Sequence, residues 1–113
     1  MKNIIAIIQP NKLEVIRSAL ADIGVMGITA SEVSGFGRQK GHVETYRGAE
    51  YFFDFVQKVK LEVVVSDPVV DDVINCICVN ARSGKVGDGK IFVLPVNQAL
   101  RIRTGETNDH ALS

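Results

Sequence analysis

Lys58-Val59-Lys60-Leu61-Glu62-Val63-Val64-Val65-Ser66 sorts its residues onto two sides. Val59, Leu61, Val63 and Val65 alternate with Lys58, Lys60, Glu62 and Val64. A period of two is the mark of a strand with one face in a core. Asp67-Pro68 follows at once, a helix N-cap residue and then Pro at the first helical position. Val70, Val73, Ile74, Ile77, Cys78 and Ala81 then recur at helical spacing, and Gly84 supplies a stop. Ile91 to Leu94 reads as the next strand.

The upstream chain repeats this order. Ile4 to Ile8 reads as a buried strand punctuated by Pro10 and Asn11. Leu13, Ile16, Leu20 and Ile23 have helical spacing, and Gly24 ends them. Ile28 to Val33 is a further strand, rich in β-branched residues. Two strand–helix–strand units predict an α+β fold, a ferredoxin-like double βαβ sandwich with two helices on one face of an antiparallel sheet. The halves share element order but no residue repeat. Leu100 to Arg103 is expected as a short fifth strand, and the polar tail from Gly105 is expected to fray.

The chain has 113 residues, 46% apolar and 23% charged, which suits one domain of 1–113 and argues against wholesale disorder. Thirteen basic residues balance 13 acidic ones. Zero net charge disfavours a dedicated nucleic-acid or anionic-membrane binder. The longest apolar run, Ile4 to Ile8, is far short of the ~20 residues a bilayer requires. It is also short for a signal-peptide core, so a cytoplasmic location is expected. Cys76 and Cys78 sit two apart on the second helix, where their side chains diverge, so neither a disulfide framework nor a zinc site is expected. Cys78 fits the apolar stripe and Cys76 falls off it.

Residues 35 to 57 are the anomaly. Structureless loops beyond about 12–15 residues are uncommon in compact domains and are usually functional or disordered. Residues 35–57, which include a flexible loop of about 36–55, hold four glycines, mixed charges, Tyr46 and Tyr51, and then Phe52, Phe53 and Phe55. Exposed aromatics and charges are what partner surfaces use. A hairpin extension whose aromatics pack on the sheet is the plainer alternative, and Phe53 and Phe55 suit it.

Ser83-Gly84-Lys85-Val86-Gly87-Asp88-Gly89-Lys90 nearly satisfies the P-loop pattern. Ile91 stands where Ser or Thr should hold magnesium, and a helix precedes where a strand should. The stretch is therefore not a P-loop. Three glycines and two lysines still suit an anion cradle, because backbone N–H groups can converge on phosphate oxygens. A tight turn with ordinary surface lysines fits equally. On a strand, Arg101 and Arg103 would point the same way and suit bidentate phosphate recognition. With Arg82, Lys85 and Lys90 they place five of the 13 basic residues between 82 and 103, which suggests a polyphosphate site. Lys58, at the base of the long loop, could pair with a carboxylate; spacing alone favours a solvated strand lysine. Catalytic signals are poor. His42 lies in the loop, His110 in the tail, and no HExxH, GxSxG or CxxC occurs. No enzyme is expected.

Three blocks carry a family resemblance: Gly35-Phe36-Gly37-Arg38-Gln39-Lys40-Gly41-His42; Tyr46-Arg47-Gly48-Ala49-Glu50-Tyr51; and Gly84 to Phe92 followed by Arg101-Ile102-Arg103-Thr104-Gly105-Glu106. In order and spacing they resemble the PII nitrogen-regulatory signal proteins over roughly residues 1 to 106. The resemblance implies a compact homotrimer with ATP or ADP in each cleft between subunits. Gly87, Asp88, Gly89 and Lys90 would line the phosphates, with Arg101 and Arg103 reaching in from the adjacent subunit. Thr29, Glu62 and Val64 would lie near adenine and ribose, with Ile7 and Gly35 close by. Gly37, Arg38 and Gln39 would sit at the loop base. With Mg2+ and ATP in place, 2-oxoglutarate would bind there. Gln39 would be a magnesium ligand, Lys58 would pair with the distal carboxylate, and backbone groups of Gly37, Lys40 and Gly41 would help. Tyr51 matches a tyrosine that some relatives carry as a uridylylation or adenylylation site.

The implied function is a sensor of ATP/ADP and 2-oxoglutarate that controls nitrogen assimilation through the long loop. Ammonium channels, acetylglutamate kinase, glutamine synthetase adenylyltransferase and a sensor kinase are the partners it suggests. The alternatives are a PII-like regulator of bicarbonate uptake or metal handling, and a nucleotide-using enzyme. Relatives commonly have Phe where this chain has Asn11. Ala49 removes a serine phosphorylation site of some relatives, and Phe52 and Phe53 are bulkier than usual. These departures bear on partner choice more than on ligand binding.

Overall fold

The computed structural model describes residues 1–36, 43–46, 49–52 and 55–112, the two central stretches as backbone only. Strand β1 spans Lys2–Ile8, helix α1 Leu13–Asp22 and strand β2 Ile28–Phe36. A short hairpin of β3, Val43–Tyr46, and β4, Ala49–Phe52, comes next. Strand β5 covers Phe55–Val65, helix α2 Val70–Ala81 and strand β6 Lys90–Pro95. The main sheet runs β2-β5-β1-β6, antiparallel throughout. This is the ferredoxin-like α+β arrangement that the element order predicts.

The alternation in β5 does what it promises. Val59, Leu61, Val63 and Val65 are buried, together with Ile4, Ala6 and Ile8 of β1. Against them pack Ile16 and Leu20 of α1 and Val73, Ile77 and Ala81 of α2. Residues opposite one another in register share a face. Asn3, Ile5 and Ile7 therefore lie on the face away from the helices, with Lys58, Lys60, Glu62 and Val64 of β5. Phe92 and Leu94 extend that face on β6, and remain 51% and 44% exposed.

Several expectations change. β2 and β5 run further toward each other than the sequence suggests, down to the pair Phe36↔Phe55. Their ladder and the β3–β4 hairpin take up most of the anomalous stretch. Phe55 does not pack on the core. It is exposed, and its ring meets that of Phe36 edge-on at 5.3 Å. Asp67 does not cap α2. A 3-10 turn, Asp67–Val69, intervenes, and its N-cap position, Ser66, makes no side-chain cap bond. The Asp67 carboxylate instead accepts from the Met1 ammonium at 2.9 Å, with Lys2 Nζ at 3.6 Å. The ammonium's hydrogen bond, helped by Lys2, holds the Asp67 carboxyl below the usual carboxylate range.

Both cysteines are half-buried. Cys76 packs against the core, and burial pushes its thiol up. Cys78 lines a cleft with Ile74, Ile77 and the start of β6. Leu100 to Arg103 is not a strand: Leu100 makes one bridge, to Thr107, and residues 102–104 form a turn. The segment beyond Gly105 is tied back rather than frayed. Arg101 N–H donates to Glu106 O at 2.9 Å and Asn108 N–H to Ala99 O at 2.8 Å, and a 3-10 turn covers Asn108–Ala111. Among the described residues no helix is long and apolar enough to cross a membrane.

Candidate functional site

The loop between α2 and β6 is built by one side chain. Asp88 Oδ2 accepts from the backbone N–H of Ser83 at 2.8 Å and of Gly84 at 2.9 Å, and Oδ1 accepts from the Ser83 hydroxyl. The Ser83 hydroxyl, with these N–H groups, keeps the Asp88 carboxyl below its ordinary range. Both carboxylate oxygens are engaged inside the loop, so Asp88 shapes the loop.

Gly89 then lets the chain press on β1. It has φ +104°, and a Cβ there would stand 1.7 Å from Ile7 O. Only a residue without a side chain allows that approach. Gly87 O accepts from Lys58 Nζ and, at 3.4 Å, from Gln9 Nε2. Gly35 lies beside the Lys58 stem; a Cβ on it would come 3.2 Å from Lys58 Cγ. Lys90 is opposite Ile7 in register. The fold thus gathers Ile7, Gly35, Lys58, Gly87, Gly89 and Lys90 around one cationic loop. Gln9 belongs with them and was not legible: it looks like the polar end of a strand, and its partner is 78 residues away.

Thr29, Glu62 and Val64 gather elsewhere. They line a cavity of about 430 Å3 together with Gly27 and Arg101. Thr29 is opposite Glu62 in register. Glu62 is four residues along β5 from Lys58, about 13 Å at the usual rise per residue. Arg101 donates from a guanidinium nitrogen to Glu106 Oε1 at 3.0 Å. Because the chain turns here, Arg101 and Arg103 do not form a strand pair. Arg103 is exposed and does not line the cavity, and Ile102 between them is 96% exposed. Asn3, Ala111 and Leu112 complete the cavity, and none carried a signal in the sequence. Asn3 Oδ1 is buried with no hydrogen-bond partner among the described residues.

Gly37, Arg38, Gln39, Lys40 and Gly41 lie outside the described residues, as does the side chain of Tyr51. No group of three or more His, Cys, Asp or Glu side chains that could hold a metal occurs among the described residues.

Residues 1–106 match the sequence model of the nitrogen regulatory protein P-II family. The chain belongs to the P-II family. It is 60% identical over 112 residues to nitrogen regulatory protein P-II of Haemophilus influenzae, covering 99% of this chain and all of that relative. It is 57% identical, with the same coverage, to nitrogen regulatory protein P-II of Klebsiella oxytoca and to nitrogen regulatory protein P-II 1 of Escherichia coli K12. These relatives are named as regulatory proteins, not as enzymes. The P-II chain is accordingly a nitrogen-regulatory signal protein.

Proposed function

We propose that this P-II chain senses ATP or ADP together with 2-oxoglutarate and reports them through the segment between β2 and β5. The cationic loop at Gly87–Lys90 supports the phosphate part of the reading. Lys58 and Lys90 stand beside it, and its only carboxylate, Asp88, is taken up internally. Charge-assisted bonds from lysines and backbone N–H groups suit a polyphosphate. The cavity bounded by Thr29, Glu62 and Val64 offers a mixed polar and apolar slot that suits an adenosine.

The two clusters lie apart on the same chain. A single ligand touching both is best served by two chains, the loop of one meeting the cavity of the next. Such head-to-tail contact gives a ring where the rotation between neighbours closes and a filament where it does not, and a closed homotrimer is the assembly we propose. Phe92 and Leu94 on the helix-free face provide apolar surface for it. In that ring the exposed Arg103 of one chain could reach phosphates held by its neighbour.

Gln39 is the residue we propose as magnesium ligand, and Lys58 as the partner of a 2-oxoglutarate carboxylate. The Lys58 ammonium already bridges toward the loop through Gly87 O, so an acid arriving there would exchange for a carbonyl contact. Gly35 and Phe36 lead from this point into the long segment, so its arrangement can follow occupancy. Partners such as ammonium channels, acetylglutamate kinase, glutamine synthetase adenylyltransferase or a sensor kinase would read that arrangement, and Tyr51 would be the modification site.

The observation that carries the reading is the glycine loop pressed onto β1 at Gly89, with Lys90 opposite Ile7. It is tested by calorimetric titration of ATP into the wild type and into Lys90→Ala and Arg103→Ala, with light scattering alongside. Both variants are expected to bind ATP more weakly and to keep the oligomer. ATP binding equal to wild type in both would refute the phosphate assignment.

A further inference from the structure

Independently of the nucleotide reading, we infer that the groove between the end of α1 and the start of α2 docks a segment of a partner protein in which an apolar side chain is bracketed by lysine or arginine.

The local chain builds this groove. Gly24, at φ 86°, closes α1. Its N–H donates to Ala21 O at 2.9 Å, and Val25 N–H donates to Leu20 O at 2.8 Å. That closure satisfies the last carbonyls of the helix and folds the following residues back against it. Ile23 and Val25 thereby line a cavity of about 240 Å3 with Val69, Val73 and Cys76. Val73 is fully buried, and Val25 and Cys76 pack against the core. Ile23, Val69 and Met26, the neighbour of Val25 in sequence, are exposed. Exposed apolar side chains gathered at a groove, rather than scattered singly, mark contact surfaces.

The rim is acidic. Asp72 lines the cavity beside Asn75. Burial pushes the Cys76 thiol up and the Asp22 carboxylate adds to the push, which puts Asp22 beside the same groove. Among the described residues neither carboxylate has an ion-pair partner. Asp72 has a local reason for its place, in the first turn of α2, where the helix dipole favours a negative charge. Asp22 has none. It is the last residue of α1, where the dipole disfavours an acid, and the last turn holds no basic residue to offset it. A local rule broken with no compensating contact inside the chain points to a contact outside it.

The cavity is smaller than the roughly 300–1,000 Å3 usual for small-molecule sites and suits a side chain rather than a whole ligand. Its apolar lining matches an apolar anchor, and the unpaired carboxylates beside it match flanking cations. The groove is also placed to stay open. Val73 packs with Ile16 and Leu20 on the helix side of the sheet, away from the face assigned to assembly. Residues 23–25 lead into the Ile28↔Val63 end of the β2–β5 ladder, whereas the long segment leaves from the Phe36↔Phe55 end.

The test maps amide chemical shifts of the full chain against three capped pentapeptides: arginine alternating with leucine, arginine alternating with serine, and glutamate alternating with leucine. The arginine–leucine peptide is expected to shift Ile23, Val25, Val69 and Asn75 and to leave Gly89 and Lys90 in place. It should bind about tenfold more tightly than either of the others, equivalent to roughly 1.4 kcal/mol. Ile23→Ser and Asp22→Asn should each weaken it severalfold. Asp22→Asn should at the same time raise the urea midpoint, because the acid opposing the dipole is gone. Equally tight binding of the arginine–serine peptide overturns the groove, since surface charge alone would then suffice. Unchanged binding in Asp22→Asn overturns the acidic rim. Shifts absent from 23–25 and 69–76 overturn the docking site itself.

Discussion

A methyl group at Gly89 would overlap the carbonyl oxygen of Ile7. Gly89→Ala must therefore lift the loop off β1 or distort both. The conformational strain alone is of order 1–3 kcal/mol, and the overlap adds to it. We expect a lower urea midpoint and loss of ATP binding; an unchanged midpoint with full binding would contradict the close approach. Asp88 makes a second prediction, in pH. Its folded carboxyl titrates below its unfolded value, so its support of the loop is complete above about pH 4 and is lost as pH falls through the folded pKa. A carboxyl titration by NMR should place Asp88 below the ordinary aspartate value, and Ser83→Ala should move it upward. A midpoint at or above the ordinary value would count against the loop geometry. At this scale the sequence shows which residue types are unusual but not what they touch. The glycines at 87 and 89 mark a special backbone. Nothing in the chain tells that Gly89 rests on Ile7 or that Asp67 serves Met1 instead of capping α2, because those partners lie far away in sequence.

Elements were the most legible level, and the reason is periodicity. In β5 and α2 the apolar spacing matches the geometry of one secondary structure, and burial follows it residue by residue. Leu61→Ala should cost about 2–5 kcal/mol in equilibrium unfolding, as for other fully buried leucines. A cost below about 1 kcal/mol would mean that the β5 core side is not packed as described. The misreadings fall where periodicity is absent. The lower ends of β2 and β5 are made by pairing with each other, as at Phe36↔Phe55, and a cross-strand ladder leaves no mark in either strand alone. The turn at 101–107 is made by local backbone hydrogen bonds, which Arg-Ile-Arg alternation imitates as a strand. The candidate site inherits both errors. Its glycine-rich loop was visible from composition, and the family resemblance named Ile7, Gly35, Lys58 and Gly87 to Lys90, which the fold brings near one another. Its division into two clusters, and the contribution of Ala111 and Leu112, needed the fold.

At the scale of the whole molecule, the helix-free face of the sheet is the main unfinished surface. Phe92 and Leu94 lie on it beside Ile5 and Ile7 of β1. The ring proposed above would cover that face with like chains. Phe92→Glu should reduce the assembled mass measured by light scattering, because a buried unpartnered carboxylate is strongly disfavoured. Retention of the full assembly would place the interface elsewhere. The most direct measurement of the central claim is calorimetric titration of 2-oxoglutarate into the protein with and without Mg2+ and ATP. Binding seen only when both are present is the predicted result, since the acid's site is proposed to form beside bound nucleotide and metal. Binding that is equally tight in their absence, or no binding in their presence while ATP itself binds, would contradict a coupled two-ligand sensor.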